Sequence, residues 1–143
     1  MIRYNYKKLG KITMQKTNFM DKYPVHSLTI QKNETNFRTV DEIITHLQAI
    51  IEKNPVATFI AIFDHYAHTS SLEEGKINPE IKDAKNLIFC FGKQIPNPQI
   101  LAVRPRSIGV TEFKDSFSID TLEAPNAQLH ETLVKWIKSI KKD

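Results

Sequence analysis

Two short apolar runs constrain what this chain can become. Residues 56–63 read Val-Ala-Thr-Phe-Ile-Ala-Ile-Phe, and residues 87–91 read Leu-Ile-Phe-Cys-Phe before Gly92. Both are too short for a buried helix and rich in β-branched and aromatic residues, so each predicts a strand. The first is apolar on both faces, which implies a central place in a sheet or cover by helices. It breaks abruptly into Asp64-His65-Tyr66-Ala67-His68. Three ionisable side chains at the end of a buried strand, beside the long polar stretch 69–83, mark where binding chemistry is expected.

The remaining pattern builds a domain around those runs. Val25–Gln31 alternates, with His26, Leu28 and Ile30 on one face. Val40, Ile43, Ile44, Leu47, Ile50 and Ile51 draw one helical stripe. Thr39 and Glu42 are spaced as a capping box at its start, and Asn54-Pro55 stops it, so the helix spans Thr39–Lys53. Asn78-Pro79 predicts a short helix ending before Asp83. Pro96, Pro98 and Pro105 forbid a long helix and leave Ile100–Val103 as a short strand. Arg106–Phe113 and Phe117–Leu122 form a hairpin about Lys114-Asp115-Ser116, with Ile108 and Val110 inward. A last helix over 126–141 carries the stripe Leu129, Leu133, Trp136, Ile137 and Ile140. The order β-α-β-β-β-β-α predicts one α+β domain over 21–143: an antiparallel sheet of four to five strands with two helices on one face.

Residues 1–20 show no periodicity and are read as a poorly ordered leader, with Met14 an alternative start. Their charge matters, because the whole chain carries +4. Arg3, Lys7, Lys8, Lys11 and Lys16 stand there without an acid, which leaves 15 basic against 16 acidic residues in the rest. The body is therefore not basic, which disfavours nucleic acid; a basic arm contacting it is the rival reading. The single cysteine, Cys90, fits a cytoplasmic setting. No apolar run approaches the ~20 residues that span a bilayer, and no signal-peptide pattern opens the chain.

Asp64-His65 after an apolar strand, Ala67, Gly75 in the loop, Leu87 through Gly92, and the alternating strand from Pro105 to Glu112 together resemble the bacterial domain-of-unknown-function family 302. The resemblance covers roughly residues 25–123. It implies a fold similar to the TATA-binding-protein half-repeat, β-α-β4-α, and no agreed activity.

The residues themselves allow three kinds of chemistry. Asp64 and His65 have the types needed for an acid-base pair, but no activated nucleophile and no phosphate-cradling loop accompanies them. His65 and His68, at i and i+3, are a metal pair only if Asp64 or Cys90 completes it. Arg104-Pro105-Arg106 offers two guanidinium forks for an anionic small molecule if it lies near the Asp64–His68 mouth. The expectation is a small ligand-binding or regulatory domain whose pocket is lined by Asp64, His65, His68, Arg104 and Arg106. No motif names a cofactor. Tyr66, Leu72 and Ile77 are expected as an apolar lid, and a second copy of the chain is the expected partner.

Overall fold

A computed structural model describes residues 14–142. Residues 1–13, with Arg3, Lys7, Lys8 and Lys11, lie outside the described part. Among the described residues, six antiparallel strands form one sheet in the order β1-β2-β6-β5-β4-β3. They are β1 (Gln15–Phe19), β2 (Tyr23–Gln31), β3 (Ala57–Phe63), β4 (Asp83–Phe91), β5 (Arg106–Glu112) and β6 (Ser116–Leu122). Two long helices, α1 (Val40–Glu52) and α4 (Ala127–Lys138), cover one face. Two short ones, α2 (His65–Ser71) and α3 (Ile100–Val103), interrupt the connections.

The periodicities act as expected. On β2, Leu28 and Ile30 are buried; on β5, Ile108 and Val110; on β6, Phe117 and Ile119. All meet Val40, Ile43, Ile44, Leu47 and Ile51 of α1 and Leu133, Trp136 and Ile137 of α4 in one core. Trp136 stacks on Phe91 at 5.0 Å between centroids and presents an edge to Phe89 at 5.9 Å. Thr39 Oγ1 accepts the Glu42 N–H, and the Glu42 carboxylate accepts the Thr39 N–H, so the capping box forms. Asn126 caps α4 by accepting from the Gln128 and Leu129 N–H groups.

Four expectations are corrected. The sheet has six strands rather than four or five, because residues 15–19, without apolar alternation, pair with β2 through their backbone. Of the two settings expected for Val56–Phe63, the central one is not taken: among the described residues β3 is the outermost strand, hydrogen-bonded only to β4, while Val56, Ala57 and Phe59 pack against the core under the helices. An apolar sequence reports a need for cover, not the number of strand neighbours. Asn78 makes a turn rather than a helix start, accepting the Ile81 N–H at its carbonyl. Ile100–Val103 is a helical turn, not a strand, because Asn97-Pro98 opens it: Asn97 Oδ1 accepts the Ile100 N–H and Pro98 O accepts the Leu101 N–H.

Candidate functional site

Strand pairing sets the site. Residues directly opposite across strands point to one side of the sheet. On the side away from α1 and α4, one row runs Ser27, Asp120, Gly109, Asn86, Phe63 across β2, β6, β5, β4 and β3. Ser27 and Ser118 both donate to the Asp120 carboxylate, the latter at 2.7 Å. Asn86 Nδ2 donates to Ser107 Oγ at 2.8 Å. Its Oδ1 lies 3.0 Å from His65 Nδ1. Between these two groups of polar side chains stands Gly109. A Cβ built there would sit 3.6 Å from Asp120 O and 3.7 Å from Asn86 Nδ2, ordinary contact distances, so packing alone does not demand glycine. Its lack of a side chain leaves the floor open.

A cleft of about 550 Å³ lies over this floor, with Val25 and Leu122 on one side and Ala102, Val103 and Pro105 of the α3 segment on the other. A second hollow, about 270 Å³, lies between α2 and the segment around residues 76–81, with His65, Tyr66 and Ile77 in its wall. His65 belongs to the hollow and, through Asn86 and Ser107, touches the wall of the cleft.

The sequence-derived candidates are divided by the fold. Asp64 caps α2: its Oδ1 accepts the Ala67 N–H at 2.9 Å, and Lys85 Nζ stands 3.9 Å from Oδ2. Asp64 and His65 do not hydrogen-bond each other. The rings of His65 and His68 both lie against Phe63, at 5.1 and 5.4 Å. His68 and Leu72 are not in the wall of the hollow. Cys90 is half-buried on β4, opposite Thr58. Among the described residues, no three His, Cys, Asp or Glu side chains gather as a metal site.

Arg104 and Arg106 lie toward the other end of β4. Arg106 pairs with Phe89, three residues along from the Asn86 that holds His65, and Arg104 packs on Gly92 beyond the strand. At ~3.3 Å per residue, Gly92 is about 20 Å from Asn86 along the chain. The two arginines therefore do not converge with Asp64, His65 and His68. Gly92, at φ 132°, has a backbone that other residues rarely adopt, and a Cβ there would displace the Arg104 guanidinium, which donates to Gln94 O at 2.7 Å. Arg106 points to the helix side and donates to Leu122 O; burial lowers its pKa.

The profile of the Family of unknown function (DUF6858) matches residues 14–142. The chain belongs to that family. No curated protein and no solved structure matches it. Nothing in the DUF6858 match links the chain to family 302. The DUF6858 span begins at Met14 and takes in β1, so the family unit includes residues read from sequence as leader. Among the described residues of this DUF6858 member, no helix is long and apolar enough to cross a membrane.

Sequence reasoning missed Asn86, Ser107, Gly109 and Asp120. A signal was present: the outward strand positions of the 106–122 hairpin are Ser107, Gly109, Thr111, Ser116, Ser118, Asp120 and Leu122, with no lysine or arginine. A solvated sheet face normally carries long charged side chains; a face of hydroxyls and one glycine is shaped for something to approach.

Proposed function

We propose that this domain binds a small organic molecule on the open face of its sheet, in the cleft floored by Gly109. The row Asp120–Gly109–Asn86 carries this reading. Its two polar side chains are already held by neighbours, so they lose little freedom when a ligand arrives, and the glycine between them lets the ligand reach the backbone. The volume of about 550 Å³ falls in the range of small-molecule sites. Hydroxyls, an amide and the carboxylates of Asp120 and Glu123 beside Val25 and Leu122 suit a neutral, hydroxyl-bearing molecule with one apolar side. Asp120 disfavours an anion there. A thermal-shift screen of sugars, nucleosides and organic acids tests it. Hits among neutral polyols that vanish in Gly109→Val, a variant that keeps its melting temperature, support the reading; hits unaffected by Gly109→Val sink it.

The acid-base reading of Asp64 and His65 has less support, because the Asp64 carboxylate is engaged at the α2 cap. Self-association has a specific observation behind it: Ala57–Phe63 is an uncharged edge strand that exposes Ile60, Ile62 and Phe63. A second copy pairing along β3 covers that edge. A cytoplasmic location rests on the single cysteine. With α2 and α3 taken as insertions, the order β2-α1-β3-β4-β5-β6-α4 supports a fold kinship with the TATA-binding-protein half-repeat. That kinship carries no function.

A further inference from the structure

Arg106 stands in the wall between the open-face cleft and a smaller cavity on the helix side. This cavity, about 120 Å³, lies under the first turn of α4, walled by Phe91, Val103, Ala124, Leu129 and Leu133, with Arg104 at its rim. Because Arg106 pairs with Phe89, its side chain is on the core side of β5. It is only 9% exposed. One guanidinium nitrogen donates to Leu122 O, while the buried Nε–H has no acceptor. Among the described residues no carboxylate forms an ion pair with it.

A buried cation without a counter-charge is costly, and an orphaned charged donor adds to that cost. The surroundings add positive character. The first turn of α4 contains no acidic residue, so the positive end of its dipole is uncompensated there. The His130 imidazole, on the same helix, is pushed below its usual value by burial and by the charges of His26, Arg106 and Lys16, with Glu123 opposing.

We propose that this cavity binds a small monocarboxylate, its oxygens on Arg106 and its hydrocarbon body against Phe91, Val103 and Leu133. One buried guanidinium balances one negative charge, and its planar fork matches a carboxylate. Apart from Arg104 at the rim and Asn126, the rest of the wall is apolar, which disfavours a bare, fully hydrated anion. An apolar cavity of about 150 Å³ accommodates benzene, so the 120 Å³ here sets an upper size near a short-chain acid. The inference does not depend on the open-face reading, because the two ligands occupy opposite sides of β5.

The test is a titration of the full chain with butyrate, butyramide as its neutral isostere, and inorganic phosphate as a bare anion. The NMR signal of the Arg106 Nε–H and the melting temperature are followed. Butyrate is expected to shift that signal saturably and to raise the melting temperature, and the other two to do neither. Arg106→Gln is expected to weaken butyrate binding by at least about tenfold. Should that variant fail to fold, Val103→Trp serves: Val103 is partly exposed at the cavity wall, and an indole there fills the space and abolishes the butyrate effect. Equal responses to butyramide or phosphate, an Arg106 signal indifferent to butyrate, or full binding in Val103→Trp would each overturn the proposal.

Discussion

His65 and Asn86 are joined across the start of β4, with Nδ1 of the imidazole 3.0 Å from the amide oxygen. The amide nitrogen donates to Ser107, so its oxygen is the acceptor and His65 carries its proton on Nδ1. Among the described residues Nε2 has no hydrogen-bond partner. The histidine that follows β3 is in this way tied to both β4 and β5. Asn86→Ala removes the partner of two groups at once and is expected to cost about 1–2 kcal/mol in urea unfolding. In a His65→Ala background the same change costs less, with a coupling of roughly 0.5–1 kcal/mol. Identical costs in both backgrounds would show that the bond contributes nothing.

Two glycines, Gly109 on β5 and Gly92 just past the end of β4, have opposite requirements. Gly92 has a positive φ and the Arg104 guanidinium where a Cβ would go. Gly92→Ala is expected to destabilise by about 1–3 kcal/mol. Gly109 has room for a methyl group at ordinary contact distance. Gly109→Ala is expected to be neutral, or stabilising by up to about 1 kcal/mol, since glycine weakens a strand interior. Chemical denaturation of both variants checks the contrast. A loss at position 109 equal to that at position 92 would mean that packing explains Gly109.

The contrast also shows what the sequence disclosed. Periodicity is a statement about one face, and it marked Leu47, Ile108 and Leu133 as core because water exclusion acts on each residue locally. Leu47, fully buried on α1, should accordingly lose on the order of 2–5 kcal/mol on Leu47→Ala. Local chemistry was legible too: Thr39 with Glu42, and the turn at Lys114-Asp115-Ser116. Register was not. Whether Arg106 comes near His65 depends on which residues face each other across β4, and pairing partners distant in sequence leave no mark on either strand alone. For the same reason Asn86 and Asp120, flanking Gly109, looked like two unrelated polar residues.

Stability should fall with acidity through His46. This ring donates its Nε2–H to Ser139 Oγ at 2.7 Å, the serine hydroxyl in turn donating to Trp136 O, and lies 5.0 Å from the Phe37 ring, between α1 and the end of α4. Burial lowers its pKa from 6.5. With a depressed folded value, the unfolded chain takes up the proton first. The stability from a neutral His46 is therefore full above about pH 6.5 and declines as pH falls through that value towards the folded one. His130, lowered chiefly by burial, acts in the same sense. Melting temperature should drop between about pH 7.5 and 5.5, and His46→Gln should flatten the slope. An unchanged slope in that variant would remove His46 as the cause.

The last prediction concerns the β3 edge. Ile60 and Ile62 are nearly half exposed, and no residue of Ala57–Phe63 is charged. Edge strands in monomers commonly carry a lysine or other charge that discourages pairing with another chain. β1, at the opposite edge, has Lys16, held at 3.1 Å by Glu123; β3 has no such guard. It does have a register shift between Phe59 and Ala61, which divides the edge into two regular parts, Ala57–Phe59 and Ala61–Phe63. An antiparallel pairing of two copies about a two-fold axis is self-complementary there, since each strand presents the same uncharged residues. Light scattering should find a dimer whose mass halves in Ile62→Lys, while the melting temperature of the dilute protein changes little, because Ile62 is already 47% exposed in the single chain and a lysine there can reach water. A monomer across the micromolar range for the unmodified protein would rule the pairing out. The exposed isoleucines would then need another cover.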